Sequence, residues 1–172
     1  MLVETTGATC VALRFERLYA LIGPKINGEL LIKLAQNDNE IAGCFQVMRQ
    51  LRTELAEAAF VPLVRELMTD GYQLAYIRDE TQVVCVAGFK ISKNLFFGKH
   101  LYVEDLSTLE TERSKDYGKQ IMAWLRNLAI AEGCSAFHLD SGVQRHRAHK
   151  FYLNRNMDIA SYHFVERINE SD

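Results

Sequence analysis

Arg113-Ser114-Lys115-Asp116-Tyr117-Gly118-Lys119 is a polar turn between two patterned stretches. After it, Ile121, Trp124, Leu125 and Leu128 recur at helical spacing, which predicts a helix from about Tyr117 to Ala131 with Gly133 ending it. Before it, Leu101 to Thr108 reads as a strand and Leu109 to Asp116 as a polar loop. The turn therefore leads into a helix N-terminus, where the first N–H groups lack partners within the helix and the positive end of the macrodipole lies. Such a place is ready to take an anion, phosphate above all. Gly118 lets the backbone come close to the anion, and Arg113, Lys115 and Lys119 add positive charge. An ordinary capped helix with a solvated basic first turn is the plain alternative, and this segment alone leaves it open.

Upstream of that strand, Tyr72 to Ile77 and Gln82 to Ile91 read as paired strands around the hairpin turn Arg78-Asp79-Glu80-Thr81, so Leu101–Thr108 is the third strand of a meander. Phe60, Leu63, Val64 and Leu67 mark a helix from about Glu57 to Met68. Another runs from about Ile41 to Leu51, after turn and N-cap chemistry at Asn37-Asp38-Asn39, and Leu30 to Ala35 suits a first strand. Downstream, Ala136 to Asp140 is a strand, Arg145 to Asn154 a helix and Ile159 to Arg167 a closing strand. Residues 1–29 read as an appendage, not a separate domain: a loop, then a short helix with Val11, Phe15, Leu18 and Ile22 on one stripe, stopped by Gly23-Pro24. Residues 30–172 form the domain proper. The order β-α-α-β-β-β-α-β-α-β gives an α/β (α+β) chain with a mixed, mostly antiparallel sheet flanked by helices.

A length of 172 residues predicts one domain. Hydrophobic residues at 48% and charged ones at 24% exclude disordered, collagen-like and coiled-coil chains. Twenty Lys+Arg against 22 Asp+Glu leave a net charge of −2, without the basic footprint of a nucleic-acid binder. No apolar run approaches the roughly 18 residues that span a bilayer, and Met1-Leu2-Val3-Glu4 carries an acid where a signal peptide carries bases. The expectation is a soluble, cytoplasmic protein without a membrane partner. Cys10, Cys44, Cys85 and Cys134 form no C-x-x-C pair and read as reduced thiols used as small core residues. Only His146-x-x-His149 has a metal-ligand spacing, and no second pair accompanies it, so no metal is expected.

A second element, Arg145-His146-Arg147-Ala148-His149-Lys150-Phe151-Tyr152, sets Ala148, Phe151 and Tyr152 on one helix face. Alone, Tyr152 also fits a half-buried core tyrosine with a wet hydroxyl. The two elements together resemble the GNAT superfamily of acyl-CoA N-acyltransferases, over about residues 30–168. The family's phosphate loop reads Arg/Gln-x-x-Gly-x-Gly/Ala between a strand and a long helix; Arg113 and Gly118 fit its ends, and Asp116 replaces the first glycine. The family's later helix often reads Arg-x-x-Ala-His-x-Phe-Tyr and closes with Gly-Phe. Arg145, Ala148, His149, Phe151 and Tyr152 match it, and Asn156-Met157 stand for the closing pair. Asparagine tolerates the left-handed conformation better than most residues, so that exchange is mild. The derived element order agrees with the GNAT fold.

The resemblance implies acetyl-CoA as the co-substrate, and it implies a role for each matching residue. By that likeness the pyrophosphate sits on the loop from Arg113 through Ser114, Lys115, Asp116, Tyr117 and Gly118 to Lys119, with Arg145 from the later helix as a further cofactor-binding residue. The pantetheine, as in the family, pairs with the fourth strand, Leu101–Thr108, near Leu106 and Thr108, where that strand bulges and splays from the fifth. In the family an amine attacks the thioester directly, so it must lose a proton, the oxyanion needs donors, and the leaving thiolate needs an acid. Tyr152 matches the family's general acid. Glu104 is the first candidate for the base, acting through water as in the family's sugar-amine members, and Asp105 the second. Adjacent strand residues face opposite ways unless a bulge intervenes, so facing does not choose between them. Asp116 could repel the pyrophosphate or simply N-cap the helix. Arg49, Arg52 and Asp140 are candidates for the acceptor site, whose mixed charge suits an amine that carries an anionic group. The leading function is N-acetyl transfer to a primary amine of a small molecule or peptide. A CoA-binding regulatory module, favoured by Asp116, and a structural partner using the N-terminal appendage are the other readings. Family members are often homodimers, which leaves that state open here.

Overall fold

Antiparallel pairing of long apolar strands places the core before any helix is added. The structure, a computed structural model, describes residues 25–26, 29–30 and 32–168. The expected helix Val11–Ile22 and most of the expected appendage lie outside them. The strands are β1 (Lys25–Ile26), β2 (Glu29–Leu30), β3 (Ile32–Leu34), β4 (Tyr72–Arg78), β5 (Val83–Asn94), β6 (Gly98–Thr108) and β7 (Ala136–Leu139). The helices are α1 (Asp38–Gly43), α2 (Phe45–Met48), α3 (Glu57–Thr69), α4 (Tyr117–Ala131) and α5 (His146–Leu153), with a 3-10 turn at Glu110–Glu112. β1 and β2 form a small hairpin, and the main sheet has the order β3-β4-β5-β6-β7. The chain divides into two compact units, Met1–His138 and Leu139–Asp172.

Within the first unit, each face of the sheet is covered for a reason visible in the side chains. Ile41, Phe45, Val47, Phe60 and Val64 from α1 to α3 bury against Tyr72, Leu74, Tyr76 and Val86. The predicted cap starts this layer: Asn37 Oδ1 accepts from the Glu40 N–H at 3.0 Å, and Glu40 Oε2 accepts from the Asn37 N–H. From α4, Ile121, Trp124, Leu125 and Leu128 are fully buried, and Trp124 meets Phe89 of β5 edge-on at 6.1 Å.

Four expectations need correction. Of the first strand, expected over Leu30–Ala35, Ile32–Leu34 is β3 and pairs with β4, whereas Leu30 belongs to β2 and pairs with Lys25. The expected helix Ile41–Leu51 starts earlier and is two pieces: Cys44 N–H bonds back to Ile41 O at 2.9 Å, a three-residue closure that tightens the helix beside Gly43. The β5–β6 hairpin is longer than expected, because exposed Ser92, Lys93 and Asn94 continue the ladder after the apolar pattern ends at Ile91. Residues 159–167 make no strand: Ile159, Tyr162, Phe164, Val165 and Ile168 are all exposed. Alternation suits a segment to extended backbone, but only a neighbour's ladder makes it a strand.

Cys44 and Cys85 are buried free thiols, as expected, and burial pushes both up to about 12. A thiolate-specific reagent at neutral pH is expected to label neither until the protein is denatured; mass spectrometry of the labelled native protein checks this.

Candidate functional site

β6 carries a bulge where it enters the site. Gly88 pairs with Asp105 and the next residue, Phe89, with Val103, so Glu104 is the extra, unpaired residue. The extra residue inverts the alternation. Val103 lies opposite Phe89, which packs on α4, whereas Asp105 faces the other layer and accepts from the Tyr72 hydroxyl at 2.8 Å. Glu104 is on that same side, with its Oε1 3.5 Å from Lys90 Nζ. Both candidate carboxylates therefore come to the α1–α3 face, and their environments separate them. Asp105 is buried, and its Oδ1 takes Arg52 Nε at 2.8 Å and Nη2 at 2.7 Å while Oδ2 takes Tyr72. The Glu104 side chain is one-quarter exposed, with Lys90 beside it. Arg52 also donates to the Glu104 carbonyl at 3.1 Å, so it ties the bulge to the chain that follows α2. Burial first, then the charge of Asp105, raises Tyr72 well above its usual 10.0. Its hydroxyl stays a donor at any working pH.

Beyond the bulge, one side of the strand makes no backbone bond to the other described residues. Leu109 N–H donates to Val84 O at 2.8 Å, and antiparallel alternation then points Ser107 at β5 and turns the N–H and C=O groups of Leu106 and Thr108 away from it. β7 lies along that other edge, parallel to β6: Ser135 N–H donates to Lys99 O at 2.8 Å, and His138 lies beside His100. Four residues make about 13 Å of strand, so β7 ends short of Leu106 and Thr108.

The loop after β6 carries the anion-site residues. Ser114 (φ 70°) and Asp116 (φ 62°) both adopt the left-handed region. Asp116 therefore holds by strain a conformation that the family gives to glycine, at a cost an aspartate bears better than most residues. It precedes α4, but its carboxylate makes no cap bond to the helix. An N-cap side chain reaches the next amides from extended backbone, which Asp116 lacks. The first helix bond runs from Gln120 N–H to Asp116 O at 2.9 Å. The amides of Tyr117, Gly118 and Lys119 precede that bond and lie outside the ladder. The expected excess of positive charge is reduced locally: Arg113 pairs with Glu110 at 3.2 Å and Lys115 with Glu112 at 2.6 Å.

Asp140, Arg145 and Tyr152 belong to the second unit. Tyr152 lies on α5, half-buried, and burial raises its phenol above the usual 10.0 while the nearby Arg145 charge pulls the other way. His149 Nε2 donates to Gly142 O at 2.9 Å, which ties the helix to the loop before it. Asn156 has φ 56°, so the left-handed position that a glycine fills in the family motif is kept. Asp140 pairs with His163 at 3.1 Å. In the first unit, Arg49 stacks 5.9 Å from the Phe45 ring centre. Among the described residues no three metal-ligating side chains converge, and no helix is long and apolar enough to cross a membrane.

Sequence reasoning missed Tyr72, Gly88 and Lys90. A glycine inside the strand pattern Val83–Phe89 was the available signal, since it marks a bulge or a close approach.

Together the fold and this arrangement define an acyltransferase. The chain matches the acetyltransferase (GNAT) family over residues 14–157, and it belongs to that family. It is 30% identical to YhdJ, an uncharacterized N-acetyltransferase of Bacillus subtilis (strain 168), over 135 residues, which are 77% of this chain and 95% of YhdJ. In fold it resembles glucosamine-6-phosphate N-acetyltransferase from Arabidopsis thaliana (TM-score 0.64, 21% identity, 80% of this chain and 99% of that one). It also resembles the aminoglycoside N-acetyltransferase AAC(6')-Iy in complex with CoA (TM-score 0.70, 13% identity, 80% and 95%).

Proposed function

We propose that the protein moves an acetyl group from acetyl-CoA to a primary amine of a small molecule or peptide. The observation that carries this reading is the outward-turned edge at Leu106 and Thr108, one loop before the unladdered amides of Tyr117, Gly118 and Lys119. An extended amide-bearing arm suits the first and a diphosphate the second. The co-substrate supplies an activated acetyl thioester; the chain's residues bind, orient and move protons. Arg113, Ser114, Lys115, Asp116 and Arg145 complete the cofactor-binding set.

Glu104 is the proton acceptor for the amine, through water, rather than Asp105. Both Asp105 oxygens are committed to Arg52 and Tyr72, while Glu104 is partly exposed at the bulge. Tyr152 keeps its proton at neutral pH and gives it to the leaving sulfur. Arg49 and Asp140 serve the acceptor, whereas Arg52 supports Asp105 and leaves its charge largely spent.

The test is free-thiol release from acetyl-CoA across a panel of primary amines. Amine-dependent release is expected; acetyl-CoA binding with no release for any amine supports the second reading, a regulatory CoA-binding module. That reading draws on Asp116 and on the pairing of Arg113 and Lys115 with Glu110 and Glu112. In the enzyme, Asp116→Gly removes a like charge and a strained φ, and is expected to tighten acetyl-CoA binding about fivefold, a change of roughly 1 kcal/mol. Calorimetry reads this directly, and weaker binding by the variant would show that the carboxylate helps.

A further inference from the structure

The network of Arg52, Asp105 and Tyr72 takes no part in the proton transfers proposed above, yet it is buried and closely fitted. A Cβ on Gly88 would lie 1.8 Å from the Tyr72 hydroxyl oxygen and 2.4 Å from Cζ. Only glycine leaves room for the Tyr72 side chain to lie across β5 and reach a carboxylate on β6. Tyr72 is 3% exposed and Asp105 7%, and Arg52 closes the outer side. Asp105 is the residue just after the bulge, and the bulge decides which backbone groups face outwards. With Glu104 looped out, Leu106 and Thr108 point away from β5. If Glu104 entered the ladder instead, the later residues would shift by one place, and Asp105 and Ser107 would turn outwards. Ser107 now faces in, with its hydroxyl donating to Val47 O at 2.9 Å.

We infer that Tyr72, seated over Gly88 and bonded to Asp105, is a positioning residue: it locks the β6 bulge and so sets the register of the edge that receives the pantetheine arm. The inference rests on the proposed use of that edge, and it has a part that can be tested without the co-substrate.

The variants are Tyr72→Phe, which removes one oxygen and keeps the ring, and Asp105→Asn. Amide hydrogen exchange and calorimetry with acetyl-CoA are compared with the wild type. Exchange at Asp105 and Ser107 is expected to rise at least tenfold in Tyr72→Phe while the amides of α4 keep their protection. The dissociation constant for acetyl-CoA is expected to rise fivefold or more, and Asp105→Asn should act in the same direction. A tyrosine that merely packs in the core would move neither reading. Unchanged exchange at Asp105 and Ser107 together with acetyl-CoA affinity within twofold of the wild type overturns the inference. If the wild type takes up no acetyl-CoA, the proposed function fails on its own, and the exchange arm still decides for or against the lock.

Discussion

Tyr152→Phe is expected to lower kcat at least tenfold while leaving the affinity for acetyl-CoA within about twofold. The substitution removes one oxygen and keeps a ring that is half-buried on α5, so the helix and its neighbours should hold. In the proposed role, what is lost is the proton that Tyr152 gives to the departing sulfur. The pH dependence makes the assignment specific. Burial raises the folded pKa of Tyr152 above 10.0, so its acid form persists through neutral and mildly alkaline pH and is lost only as pH rises through that higher value. The alkaline limb of kcat due to Tyr152 should therefore lie above pH 10 and vanish in the phenylalanine variant. A limb below 10 that survives the substitution belongs to another group. Turnover unchanged in the variant, with chemistry shown to limit the rate, removes Tyr152 from the acid role.

Gly88→Ala is the second large effect, and it acts on fold and site together. The new methyl would sit 1.8 Å from the Tyr72 oxygen and 2.6 Å from Cε2, against the outer end of a rigid ring that is itself buried. Tyr72 must leave, which costs core packing and takes the hydroxyl from buried Asp105. Overpacking alone costs about 1–3 kcal/mol, and stranding a buried carboxylate oxygen adds to it. Urea unfolding should show a midpoint lowered accordingly at unchanged slope. An unshifted midpoint would mean that Tyr72 has room elsewhere and that the close approach over Gly88 matters little.

Local signals in the chain are legible and long-range ones are not. The helix Tyr117–Ala131, the meander and the helix bearing Tyr152 can be read from the residues because apolar spacing is a local signal. The exchange of glycine for Asn156 is legible too, because left-handed tolerance belongs to the residue itself, and φ 56° agrees with it. The roles of Glu104 and Asp105 are not. Their separation depends on a one-residue bulge and on Tyr72, 33 positions away in sequence, and no periodicity encodes either. The charge of the loop misleads for a smaller reason. Arg113 and Lys115 look free until Glu110 and Glu112, three residues before each, are seen to pair with them. The strand expected over 159–167 fails because its alternation describes a face, not a partner.

In the function we propose, the turn entering α4 receives the diphosphate of acetyl-CoA on its main-chain amides. Backbone amide chemical shifts followed during a titration with acetyl-CoA test it residue by residue. Saturable shifts are expected at Ser114 to Lys119, joined by Leu106 and Thr108. Saturation of the protein with those amides unmoved, or no response anywhere at millimolar acetyl-CoA, would contradict it.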